Sequence, residues 1–150
     1  MPTPQTACRS QDNIVGRRWG RVKFLRVSRL RLGRHIIQDV AKSYVVWPAK
    51  ALPQTLDSNL YDNATAAPRW KRDGVAYRAF AAYQKAGGET QSRCAAPQLV
   101  GPADVHLQRS SRAIDAGAEQ NGVAVDNEGV TRPQGAACDF GAYEFKVNTK

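Results

Sequence analysis

The chain has 150 residues, with 22 Lys and Arg against 13 Asp and Glu, a net charge of +9 and a pI near 9.9. That length suits one domain core and is short for two. Hydrophobic residues at 42% and charged residues at 23% exclude a wholly disordered, collagen-like or membrane-bundle chain, and no apolar run nears the roughly 18 residues of a spanning helix.

The charge is unevenly placed. Residues 1–50 hold half of the 22 basic residues against Asp12 and Asp39 alone, so the surplus sits there and the remainder is neutral. Arg17, Arg18, Arg21, Lys23, Arg26, Arg29, Arg31 and Arg34 follow one another without an acid between them. Like charges this close must face solvent or meet an anion. A solvated basic face is the preferred reading; Arg17, Arg18, Arg21 and Lys23 are the candidates for an anionic ligand. Arg17-Arg18 is not read as a twin-arginine signal, because arginines interrupt the apolar stretch that must follow, and residues 1–10 lack a Sec-type signal.

In chain order, residues 22–32 fit either short alternating strands or a poor helix. Ile36-Ile37 and Tyr44-Val45-Val46-Trp47, the latter closed by Pro48, read as short strands. Residues 56–61 predict another strand, and Asp62-Asn63 opens a loop to Pro68. A helix is predicted over 75–86: Tyr77, Phe80 and Ala81 recur at helical spacing, Asp73 could cap the start, and Gly87-Gly88 ends it. Its aromatic stripe reads as a packing face. Beyond it, short apolar pieces at 98–100, 105–108, 113–114, 123–125 and 140–145 alternate with turns at Gly101-Pro102, Asp126-Asn127-Glu128-Gly129 and Arg132-Pro133-Gln134-Gly135.

Chemistry-bearing motifs are sparse. Cys8, Cys94 and Cys138 lack metal-ligand spacing, and Cys138 reads as a small buried hydrophobe in a strand. His35 and His106 show no evident carboxylate partner, and no nucleophile elbow, phosphate loop or dinucleotide fingerprint occurs. Asp126-Asn127-Glu128-Gly129 could be taken for part of a calcium loop, but its further ligands are missing and a polar turn is preferred, so no cofactor is expected.

Three ordered motifs carry a resemblance. Ser111-Arg112-Ala113-Ile114-Asp115-Ala116-Gly117, then Val125-Asp126-Asn127-Glu128-Gly129-Val130-Thr131-Arg132-Pro133-Gln134-Gly135, then Cys138-Asp139-Phe140-Gly141-Ala142-Tyr143-Glu144-Phe145 follow one another at characteristic spacing. With Asn59-Leu60-Tyr61, Arg69-Trp70 and Phe80-Ala81-Ala82-Tyr83-Gln84 upstream, this half resembles the C-terminal end of secreted bacterial right-handed parallel β-helix proteins, the pectate-lyase-like group, often surface-anchored. The resemblance covers roughly residues 59–145.

It implies an all-β fold: a right-handed parallel β-helix, last two or three coils plus a C-terminal cap carrying one short amphipathic α-helix. Residues 1–55 would be a basic region of divergent coils, 56–146 the C-terminal coils and cap, and 147–150 a tail. Asp115, Asp126, Arg132, Asp139, Tyr143 and Glu144 would be structural motif residues, with Asp115 and Asp139 accepting turn amides and the Arg132 fork clamping one of those two. The implied function is the C-terminal segment of a secreted, carbohydrate-associated protein, extracellular or at the cell surface, without catalysis of its own.

Two other readings are carried. One is a small polysaccharide lyase whose basic N-terminal third binds an acidic polysaccharide. The other is nucleic-acid binding through the same arginines, with Trp19, Phe24 or His35 stacking on bases. Exposed strand edges near residues 13–25 would favour self-association.

Overall fold

The computed structural model describes residues 9–11, 14–15, 21–23, 31–38, 43–46, 55–62, 70–87, 89–117 and 123–146, with side chains at 33–38 and 57–62 and from 70 onward. In chain order the elements are β1 (Arg9–Gln11), β2 (Ile14–Val15), β3 (Arg21–Lys23), β4 (Arg31–Gly33), β5 (Ile36–Ile37), β6 (Ser43–Val46), β7 (Thr55–Leu56), β8 (Leu60–Tyr61), β9 (Trp70–Arg72), β10 (Val75–Tyr77), α1 (Phe80–Lys85) and β11 (Arg93–Cys94). Every third strand pairs: β1-β4-β7, β3-β6-β9 and β2-β5-β8-β11 form parallel ladders, and β10 adds to the second as an antiparallel edge. Partners such as Arg9↔Arg31 and Ile14↔Ile36 are 22 residues apart, while Arg31↔Thr55 and Ile36↔Leu60 are 24 apart.

The ladders are joined by corners that the sequence builds from polar residues. Arg34 and Ser58 both take left-handed backbone, φ 62° and 57°, although neither is glycine. They are stacked, because the Arg34 amide donates to the Ser58 carbonyl at 2.6 Å, and Asp57 Oδ1 accepts the Ser58 amide at 2.8 Å. A short carboxylate that satisfies the next amide offsets part of the cost of that conformation. The single strand expected over 56–61 is therefore two strands in different ladders, β7 and β8, parted at Ser58.

Strands β5 and β8 are buried on both faces. Ile36 and Leu60 point to one side, with Leu107, Ala113 and Phe140. On the other face, Tyr61 packs edge-on against Trp70 at 5.8 Å, and Trp70 stacks on Tyr83 at 5.9 Å. Full burial of a side chain such as Phe140 contributes roughly 1.5–3 kcal/mol, so two apolar layers flank a sheet whose strands are only two residues long. That layering accounts for short strands that could not persist alone.

The helix expected over 75–86 is shorter and starts later, at Phe80. Its first part is instead β10, which turns back on β9 through Asp73 and Gly74, both with positive φ (49° and 84°). Asp-Gly at the centre of a two-residue hairpin overrides helical periodicity. Asp73 thus caps no helix, and α1 has no side-chain cap at its N-terminus. At the other end Arg72 donates to the Gly87 carbonyl, a cation placed where the helix dipole favours one.

The expected all-β right-handed parallel β-helix is corrected by this architecture. The described residues form three small sheets of two- to four-residue strands, one carrying an antiparallel pair, and no sheet closes. From residue 95 onward no named strand occurs among them, only the isolated antiparallel bridges Leu99↔Leu107, Gly117↔Cys138 and Val125↔Thr131. Pro, Gly and Asp at 97, 101, 102, 126, 129, 133 and 135 end pairing before a ladder can extend. Cys138 accordingly sits in a bridge, and 140–145 runs through bends.

Candidate functional site

Of the anion-binding candidates, Arg17 and Arg18 lie outside the described residues. Arg21 and Lys23 are on β3, where they pair in register with Ser43 and Val46 of β6. Trp19 and Phe24, proposed to stack on bases, also lie outside the described residues. His35 is described and is 2% exposed, so its ring is unavailable to a nucleobase. Arg34 departs from a solvated basic face: it is fully buried, and its side-chain carbons lie so close to Gly117 that an added Cβ there would sit 3.1 Å from Cδ.

A buried carboxylate ties the helix to the ladders. Glu89 Oε1 accepts the hydroxyls of Tyr61 (2.5 Å) and Tyr83 (3.4 Å), while Oε2 accepts Asn59 Nδ2 (3.0 Å) and Ser92 Oγ (2.5 Å). Burial pushes its pKa up, and the bonds from Ser92, Tyr61 and Asn59 pull the other way. The Tyr61 phenol is raised well above its ordinary value by burial and by the charge of Glu89 beside it. Sequence reasoning missed Glu89, an isolated acid after a glycine pair. Its partners lie 3 to 30 residues away, with no local pattern to expose them.

The C-terminal motif residues converge on a second buried network. Arg132 Nη1 contacts Glu144 Oε1 at 3.0 Å with both side chains fully buried, and its fork also donates to the carbonyls of Asp139 (3.2 Å) and Gly141 (2.9 Å). Glu144 in turn accepts the amides of Asp139 (2.9 Å) and Gln134 (3.1 Å). Asp139 accepts the amides of Asp115 (2.8 Å) and Phe145 (2.6 Å), and Asp115 accepts that of Ala137 (3.0 Å). Asp126 accepts three, from Glu128, Val130 and Glu144.

The electrostatics of these acids differ. Burial raises Asp126, but the amides of Glu144, Val130 and Glu128 outweigh it and hold the carboxyl below its usual range. Asp139 goes the other way, pushed by burial up to about 6. Both Asp126 oxygens face backbone N–H donors, so this loop works as an amide-clamping turn.

Nearer the surface, His106 has the carboxylate partners that its sequence context did not reveal. Its Nδ1 is 2.6 Å from Asp104 Oδ1, its Nε2 is 3.2 Å from Glu128 Oε1, and its ring lies 4.2 Å from that of Tyr143. Asp104 also accepts the His106 backbone amide at 3.1 Å, so an Asp-x-His spacing that forms a local turn was the readable signal. The hydrogen bond that His106 donates to Asp104 raises its pKa, and Glu128 adds to that.

In this arrangement the groups hold one another and the backbone. A general base needs a free lone pair within reach of a substrate proton, and the doubly protonated His106 ring that donates to both carboxylates offers none. Glu89 and Glu144 are sealed from solvent. Among the described residues no three His, Cys, Asp or Glu side chains are grouped to hold a metal ion, and no helix is long and apolar enough to cross a membrane. An open depression of about 410 Å³ is lined by Thr90, Gln91, Ser92, Arg93, Ala116 and Gly117, with Arg93 exposed at its wall. Comparison with family models, curated proteins and solved structures yields no match.

Proposed function

We propose that the chain serves as a terminal, carbohydrate-associated segment of a secreted protein, without catalysis of its own. The observation that carries the non-catalytic part is the occupation of five acids among the described residues. Asp115, Asp126, Asp139, Glu89 and Glu144 each accept hydrogen bonds from the fold itself, and His106 is engaged on both nitrogens. An acyl-transfer or proton-abstracting site would leave at least one such group facing a substrate. Support for the carbohydrate and for an extracellular or cell-surface place comes from the three ordered motifs alone, with the basic residues Arg17, Arg18, Arg21 and Lys23 as the contact to an acidic polysaccharide.

Incubation with polygalacturonate or alginate, with and without calcium, should leave the ultraviolet absorbance flat. A sustained rise from a new unsaturated bond overturns the non-catalytic reading in favour of a lyase. Affinity electrophoresis in the same polysaccharides should retard the chain at low salt and release it as salt screens the arginines. Equal mobility with and without polysaccharide removes the carbohydrate. Preferential retention by single-stranded DNA over polygalacturonate at matched salt transfers the role of those arginines to nucleic acid.

A further inference from the structure

We infer that His106 is a clasp, closed by protonation, between the two antiparallel hairpins of the C-terminal region. The first hairpin is closed by the bridge Leu99↔Leu107 and by the Val100 amide donating to the His106 carbonyl at 2.9 Å. The second is closed by Val125↔Thr131 and by the Asp126 amide donating to the Val130 carbonyl at 2.7 Å. His106 stands at the base of the first, and Glu128 at the tip of the second.

The geometry dictates the protonation state. A neutral imidazole has one N–H and one lone pair, and ionised carboxylates only accept. With Asp104 Oδ1 at 2.6 Å from Nδ1 and Glu128 Oε1 at 3.2 Å from Nε2, only the doubly protonated ring satisfies both contacts. Loss of the proton to solvent leaves one nitrogen with a lone pair. Asp104 holds its N–H more closely and is tied to the same turn through the backbone amide of His106, so the contact that fails is the one to Glu128, the link between hairpins.

The remaining charged neighbour sharpens the exchange. Lys146 Nζ lies 3.8 Å from the other oxygen of Glu128, so a carboxylate released by His106 has a second cation waiting. Tyr143, whose hydroxyl accepts Asn127 Nδ2 at 3.1 Å, packs on the ring and keeps it in place in both states. The hydrogen bond that the ring donates to Asp104 moves the His106 pKa upward from 6.5. A histidine raised on folding stabilises below its unfolded value, and that contribution disappears as pH climbs through the folded one. The clasp is thus closed in mildly acidic surroundings and open in alkaline ones.

The test is a proton NMR titration of the His106 ring together with amide exchange at residues 126–130, corrected for the intrinsic effect of pH. In the unmodified chain the midpoint should lie above 6.5, and exchange should rise roughly two- to fivefold across it, the range open to a partly exposed ion pair. Glu128→Gln should lower the midpoint, and His106→Gln should abolish the rise. A midpoint at or below 6.5, an unchanged midpoint in Glu128→Gln, or the same rise in His106→Gln each overturns the clasp.

Discussion

The ladders around residues 31–62 and the turns of 97–146 solve one problem by different means. In the ladders, backbone groups pair with backbone groups, as in Leu60 N–H to the His35 carbonyl at 2.8 Å, and apolar Ile36 and Leu60 fill the space between. In the turn region, side-chain carboxylates do the pairing: Asp126, Asp139 and Glu144 take up amides that no strand partner meets. A repeating backbone needs no charge to satisfy it, whereas an irregular one must borrow acceptors from its side chains. The consequence is that removing a charge from the turn region strips backbone amides of their acceptors, whereas the buried carboxylate beside the ladders, Glu89, is held by the side chains of Asn59, Tyr61, Tyr83 and Ser92.

The largest effect should come from Arg132→Ala. It leaves Glu144 buried without its cation, a loss of about 3–5 kcal/mol, and by hydrogen exchange the amides of 126–145 should lose protection before those of Ile36, Ile37 and Leu60. Simultaneous loss in both regions would show a single cooperative unit and erase the distinction.

A smaller effect follows where the regions touch. In Gly117→Ala the new Cβ would lie 2.8 Å from the Cys138 carbonyl oxygen and 3.1 Å from Arg34 Cδ. The backbone cannot yield cheaply, so urea denaturation should report about 1–3 kcal/mol lost.

The most delicate effect is on pH. Asp139 should titrate near 6 by carbon NMR of its carboxyl. Its folded pKa exceeds its unfolded one of 3.8, so the native state holds the proton longer. Stability from this group is therefore greatest below about 4 and declines as pH rises towards 6. Asp126, lowered on folding, contributes in the opposite sense, lost as pH falls through its depressed value. Asp139→Asn should remove the decline between pH 4 and 6 while leaving the acid-side loss from Asp126.

Legibility of the sequence followed the range of the forces. Of the aromatic stripe read at Tyr77, Phe80 and Tyr83, the last two sit on one short helix and pack on Trp70, whereas Tyr77 belongs to β10. The start of that helix was misread because Asp73-Gly74 is a hairpin signal placed inside a helical pattern. The motif residues Arg132, Asp139 and Glu144 were singled out in sequence, yet the partner in the arginine's fork is Glu144, 12 residues away, a pairing that spacing does not display. Glu89 was invisible for the same reason. The motif order in the second half suggests regular coils, whereas the described residues from 95 onward are held by turn chemistry and isolated bridges rather than by named strands.

Arg34 has a consequence in time as well as in space. Its carbonyl accepts the Gly141 amide at 2.6 Å, a contact that closes 107 residues of chain. The Arg34 amide closes a much shorter loop to the Ser58 carbonyl, and the longer closure to residue 141 carries the larger entropic cost. On a ribosome releasing the chain from its N-terminus, the Arg34 side chain cannot pack on Gly117, nor its carbonyl meet the Gly141 amide, until those residues have emerged, so completion of this corner is a late event in the chain's maturation.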